Sequence, residues 1–198
     1  MIKYPSWFQI LDKPVFHYLQ RLVAYSTNIR YFNGEIIRVP DSIKKNWNPF
    51  HNHIYEIYGW EAVYEFGKAG DTFIDIGANI GIITVAMSRV AGQDGNVIAC
   101  EPNPHAYRFL LDTFEVNQCY NAHSLQTLVL DEIGVFSFNI SSADDLGVRS
   151  SIAYKDPGGK TVKLPGMTID SFTEDGSQLD YIKIDAEGAE MRILTGAI

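Results

Sequence analysis

The chain has 198 residues, enough for one domain with a real core, and its 46% hydrophobic and 20% charged content is an ordinary globular balance. A net charge of -8 and a pI near 5.0 argue against a nucleic-acid phosphate backbone as partner, because that binding relies on clustered Lys and Arg. No stretch reaches the roughly 18 to 20 apolar residues needed to span a bilayer, and the start lacks the pattern of a secretory leader.

Residues 1–68 are expected to form an N-terminal extension and lead-in, helical in part. FHYLQRLVAY, 16–25, reads as an amphipathic helix interrupted by Gln20 and Arg21, and NWNPFHNH, 46–53, as aromatic-rich turns. His51 and His53 form an H-x-H pair that suits a transition metal, but no third ligand follows at a convincing spacing, so they read as loop or substrate-contacting histidines and no metal is expected. Trp7, Trp47 and Trp60 suit core or lid packing, or the lining of an acceptor site. Cys100 and Cys119, the only cysteines, sit in no metal spacing and read as reduced thiols in a cytosolic protein.

From residue 69 the pattern changes to that of one α/β domain running to 198. DTFIDIG is a short apolar run stopped by glycine; GIITVAMSRV, 81–90, then places apolar residues at helical spacing up to the turn AGQDGN. NVIACE, 96–101, is a second buried strand. The helix that follows, 103–117, has Asn103 as N-cap and Pro104 at its first position, with Tyr107, Leu110, Leu111 and Phe114 expected on one face. HSLQTLVL, 123–130, reads as a third strand and GVFSFNI, 134–140, as an added one. The polar stretch 141–166, with Pro157-Gly158-Gly159 and the exposed pair Asp144-Asp145, reads as a hairpin or mobile loop rather than core. YIKIDAEGAEMRIL, 181–194, returns to a buried strand that ends on a carboxylate and runs into a helix. Alternating strands and helices imply a Rossmann-like parallel sheet with helices on both faces.

Ligands of such sheets bind outside the carboxyl ends of the strands, where Asp75, Glu101 and Asp185 all fall. Gly77 and Gly81 allow close backbone approach, and the helix starting near Ile80 offers free N–H groups to an anionic ligand group. Residues 77–82 run G-A-N-I-G-I, which matches neither a dinucleotide fingerprint nor a phosphate loop. This disfavours a nicotinamide-dependent oxidoreductase. A carboxylate just before the first glycine repels a pyrophosphate and suits an amino group, while Glu101 is placed to accept from ribose hydroxyls. S-adenosylmethionine carries both groups. The competing reading makes Asp75 a helix N-terminal charge and Glu101 a cap before Pro102, which accounts for each residue but not for their joint spacing.

Together, GDTFIDIGANIGIITV (70–85), VIACEPNP (97–104), LPGMTIDSF (164–172) and YIKIDAEGAEMRIL (181–194), with Tyr55-Glu56 upstream, resemble the FkbM-type methyltransferases, a branch of the class I S-adenosylmethionine-dependent enzymes. The resemblance covers roughly residues 50–198. It implies that Asp75, Gly77, Ala78, Asn79 and Gly81 surround the methionine part of the cofactor, that Glu101, flanked by Pro102 and Asn103, holds the ribose, and that Glu56 reaches cofactor or substrate. Asp131 falls late for the acidic residue expected near the adenine, whose contact stays unassigned. Asp185 and Glu187, two apart at the mouth of the crevice, are the candidate catalytic pair, one as base and the other orienting the acceptor, in an order that spacing leaves open; Glu187 also suits a helix N-terminal charge. The family resemblance implies O-methylation of a hydroxyl on a carbohydrate or small molecule. A nucleic-acid acceptor is disfavoured by the charge and by the lack of an N-P-P-[YF] motif. Chains of this kind usually continue into further strands that close the sheet, so the domain is expected to lack its C-terminal strands, and a non-catalytic cofactor- or partner-binding module is the alternative function.

Overall fold

The computed structural model describes residues 28–30, 36–38, 57–141, 152, 158–173, 176–186 and 188–197. The expected helix at 16–25, both histidines of the H-x-H pair, Glu56, Asp144, Asp145 and Glu187 lie outside the described residues. The lead-in contributes a small antiparallel ribbon, β1 (Asn28–Arg30) with β2 (Ile36–Arg38), which periodicity had not signalled. It is followed by helix α1 (Ile57–Phe66).

The domain proper alternates as its sequence predicts. β3 (Thr72–Ile76), α2 (Ile82–Ala91), β4 (Asn96–Cys100), α3 (Pro104–Asn117) and β5 (Ala122–Leu125) succeed one another, and after a second sheet come β9 (Tyr181–Ile184) and α4 (Glu190–Thr195). The four strands form one parallel sheet in the order β5-β4-β3-β9. The chain therefore steps outward from β3 to β5 and then returns to the other side of β3. That reversal makes the β3/β9 junction the switch point at which ligands of such sheets bind.

Side-chain alternation along β3 divides the core. Phe73 packs with Trp60 and Val63 of α1, Val85 and Met87 of α2, and Leu110 and Phe114 of α3. Ile74 and Ile76 face the opposite way, toward Cys100, Val129, Ile169 and Ile193 of α4. Helices thus cover both faces, and the period of two that defines a strand places Asp75 on the same side as Phe73, under α2. Helix α3 starts as expected: the Asn103 side chain accepts from the His105 N–H at 2.9 Å, with Pro104 at the first helical position.

Three expectations are corrected. The stretch 123–130 is not one strand: β5 ends at Leu125, opposite Cys100, and Leu128–Val129 form β6, which pairs with a different sheet. The break occurs where buried Thr127 turns its hydroxyl to the Pro165 carbonyl at 2.9 Å. Second, β8 (Lys160–Met167) occupies the end of the segment read as hairpin or loop, pairs antiparallel with β7 (Gly134–Ile140), and buries Leu164 beside Phe138, Leu128 and Leu130. The hairpin reading holds, but its second arm is core. Pro165, which has no N–H to give, sits opposite Val135 and just outside the β6 pairing, which begins at Gly166. Third, Leu111 lies on the outer side of α3, 44% exposed, and Ala106 and Thr113 take the buried positions between Leu110, Phe114 and Asn117.

The sheet closes tightly at the switch point. Gly77 has φ +77°, and a Cβ there would lie 1.9 Å from the Asp185 carbonyl oxygen. Gly92, the C-cap of α2, also has positive φ but nothing within 4 Å of an added Cβ. Gly77→Ala is therefore expected to cost about 3 kcal/mol or more, and Gly92→Ala only about 1 kcal/mol, the strain of the left-handed conformation alone. Urea unfolding of the two variants beside the parent chain measures the difference; equal costs would show that the Gly77–Asp185 approach does not constrain the fold.

Candidate functional site

The turn after β3 carries three residues of positive φ in five, Gly77, Asn79 and Gly81, which bend the chain sharply from strand to helix. Its backbone is fixed from β4: the N–H groups of Gly77 and Ala78 both donate to the Cys100 carbonyl, at 2.9 and 3.0 Å. Gly81 also admits α3, since a Cβ there would come within 2.8 Å of Leu110. Helix α2 then begins with no side chain capping it, so its N-terminus opens toward the strand ends with its partial positive charge.

Glu101 lies beside this turn and is almost fully buried. Its Oε2 accepts from the Asn79 N–H at 2.8 Å and its Oε1 from the Asn103 N–H at 2.7 Å, so the carboxylate ties the β3 turn to the start of α3. Burial raises its pKa to about 7 against the lowering effect of the two N–H donors; Lys183 lowers it and Asp75 raises it further. Each oxygen uses one lone pair on the backbone and retains another. The Asn79 side-chain oxygen is buried without a hydrogen-bond partner. Such an acceptor suits a ligand donor, because a buried polar group left unmet is costly.

Asp75 is fully buried. Thr84 of α2 donates to its Oδ2 at 2.6 Å, and the ammonium of Lys183 lies 3.0 Å from its Oδ1, an ion pair without hydrogen-bond alignment. The same ammonium donates to the Gly77 carbonyl at 2.8 Å. Parallel pairing explains the meeting, since Asp75 and Lys183 are register partners on adjacent strands and so share a face. The cation expected at Asp75 is thus supplied within the chain.

The structure brings Asp75, Gly77, Ala78, Asn79, Gly81, Glu101 and Asn103 together around one turn, with Pro102 half-buried between Glu101 and Asn103. Asp185 joins them through its backbone: its N–H donates to Ile76 O at 3.0 Å, its carbonyl meets Gly77, and its side chain is exposed. Asp131 accepts from Arg192 Nε at 2.9 Å, which holds its carboxyl below the usual range. It is engaged by α4 rather than offered to an adenine.

Three residues of the site escaped the sequence reading. Thr84 and Lys183 grip Asp75, and Glu190 accepts from the Ala186 and Gly188 N–H groups at 3.2 and 3.1 Å, which shapes the turn leading into α4; its own backbone N–H, then that of Gly188, holds its carboxyl below the usual range. Lys183 left a signal: a lysine between two isoleucines in a strand paired on a buried neighbour needs a partner on its own face. Among the described residues, no three His, Cys, Asp or Glu side chains gather as a metal site, and no helix is long and apolar enough to cross a membrane.

The model of the methyltransferase FkbM domain matches residues 75–198. No curated protein matches the chain significantly. Similar solved structures include a SAM dependent methyltransferase from Aquifex aeolicus, 22% identical over 47% of this chain and 52% of that one, with a TM-score of 0.37. They also include TYW2 of M. jannaschii in complex with AdoMet, 18% identical over 55% and 53%, TM-score 0.41. Trm5b of Pyrococcus abyssi is 12% identical over 71% and 56%, TM-score 0.35. The chain spans about half the length of these structures. With its family model matched from Asp75 through the last strand and helix, the chain belongs to the FkbM methyltransferase family, whose cofactor is S-adenosylmethionine.

Proposed function

We propose that the chain works as an S-adenosylmethionine-dependent methyltransferase acting on a hydroxyl of a carbohydrate or small-molecule acceptor. The observation that carries this reading is the strand-end turn itself. Glu101 and the unmet Asn79 oxygen present buried acceptors beside an uncapped helix N-terminus, at the switch point of a parallel sheet. This donor and acceptor set fits the cofactor. Glu101 would take the ribose hydroxyls, with Pro102 and Asn103 fixing its position, and Asp75, Gly77, Ala78, Asn79 and Gly81 would surround the methionine part. Glu56, outside the described residues, would add a contact from the lead-in.

When bound, the cofactor supplies a methyl group on a sulfonium sulfur. The chain's task is to hold an acceptor oxygen in line with it, and positioning of that kind supplies about 7 to 11 kcal/mol of the barrier. A hydroxyl must also lose its proton. Asp185, exposed at the end of β9, or Glu187 beyond it takes that proton, and the other orients the acceptor. The net charge of -8 disfavours a nucleic-acid acceptor and favours a hydroxyl on a carbohydrate or small molecule.

Calorimetric titration of S-adenosylmethionine and S-adenosylhomocysteine tests the reading. Saturable binding is expected, weakened about tenfold or more by Glu101→Ala, as for loss of a charge-assisted contact, and weakened also by Asp75→Ala, which removes the carboxylate that pairs with Lys183 beside the turn. A folded chain that takes up NAD and ignores both ligands would overturn it.

Glu101 also predicts a pH dependence. Ribose hydroxyls donate to the ionised carboxylate, so nucleoside affinity should fall as pH drops below about 7, and Glu101→Gln should flatten the profile. Folding stability runs the opposite way. The pKa of Glu101 is raised in the fold, so its contribution is full below about 4.5 and is lost as pH rises through about 7. Ligand-free melting temperature should accordingly decline across that window, and less so in Glu101→Gln.

A further inference from the structure

Asp75 and Lys183 form one unit at the switch point, and only one of them is reachable. The Asp75 side chain is 1% exposed and closed off by Thr84, whereas the Lys183 side chain is 18% exposed. A ligand entering the crevice therefore meets the ammonium, not the carboxylate behind it. That ammonium is held by the Gly77 carbonyl at 2.8 Å, on the turn that leads to the uncapped start of α2. Two sources of positive potential, a fixed side-chain cation and the N-terminus of a helix of 10 residues, thus border the same turn. Both favour an anionic group. Lone Asp75 would suit a simple amine, but closed off behind Lys183 it leaves the cation to be met, whose complement is a carboxylate.

We infer that Lys183 is a specificity-determining residue that selects ligands whose amino-acid end carries a free carboxylate, with Asp75 as the positioning residue that holds its ammonium in place. The inference rests on the cofactor reading above and deepens it, by assigning the anionic end of the methionine part to Lys183. The stem of Lys183 lies on β9, two residues before Asp185, so the strand that carries a candidate base also carries the residue that would anchor the cofactor's end.

Three probes separate the contributions by calorimetry: S-adenosylhomocysteine, its decarboxylated analogue that keeps the amine, and methylthioadenosine, which lacks the amino-acid end. The parent chain should bind S-adenosylhomocysteine about tenfold or more tighter than the decarboxylated analogue. Lys183→Met should bring that ratio to about one while leaving methylthioadenosine within about twofold, and Lys183→Arg should restore most of the ratio. A general loss of structure would instead weaken all three probes together. Should Lys183→Met fail to fold because Asp75 is left buried and uncompensated, the double variant Asp75→Asn with Lys183→Met removes both charges and should give the same ratio of about one. A ratio that Lys183→Met or the double variant leaves unchanged overturns the inference alone. Failure of the folded parent chain to bind any of the three probes overturns the cofactor reading and this inference with it.

Discussion

The constraint on which the rest of the structure depends is the contact between the Gly77 backbone and the Asp185 carbonyl, where the strands on either side of the switch point end. No side chain fits there, because a Cβ on residue 77 would overlap the carbonyl oxygen. The contact forces the chain into left-handed conformations at Gly77 and again at Asn79 and Gly81, and those reversals turn the Asn79 N–H onto Glu101. The same bend aims the Gly77 carbonyl at Lys183. Close packing of backbone on backbone is thus what gathers the polar groups of three strands at one place.

Much of this architecture was legible in the residues. Strands β3, β4 and β9 and helices α2 and α3 announce themselves through apolar runs stopped by glycine or carboxylate, and through the Asn103-Pro104 start. The gathering of Asp75, Glu101 and the glycines was legible too, because each follows directly from its place at a strand end. Pairing between distant segments was not. Thr127 interrupts the apolar run in sequence, and only its hydrogen bond to the distant Pro165 carbonyl shows where one strand splits into two. Leu111 was misplaced for a related reason: on a helix, several residues share the apolar arc, and the neighbouring sheet decides which of them is buried.

Lys183 illustrates the limit most clearly. From sequence, Asp75 reads as a lone carboxylate awaiting a cation, since nothing within its own segment can neutralise it. Parallel register then sets a residue 108 positions further along directly beside it on the same face. The chemistry of the seat changes from anionic to paired. Local pattern finds the residues at strand ends, but the charge of a site is a sum over strands, and that sum depends on topology.

The energetics of this sum argue for a ligand rather than for stability as the reason these groups are there. A buried ion pair is a weak source of folding energy, and apolar residues of similar volume often serve as well or better. Glu101 is less economical still, since burial raises its pKa to about 7 even with two N–H donors on its oxygens. Burial thus opposes ionisation of this carboxyl, and hydroxyl donors would favour it. The buried Asn79 oxygen adds a deficit of about 1 to 3 kcal/mol, as expected for an unmet polar atom. A nucleoside with a zwitterionic end would supply donors for Glu101 and Asn79 and an anion for Lys183. On the proposed reading, a ligand that relieves each of these costs draws its affinity from them, so groups that contribute little to folding can sit together at one turn.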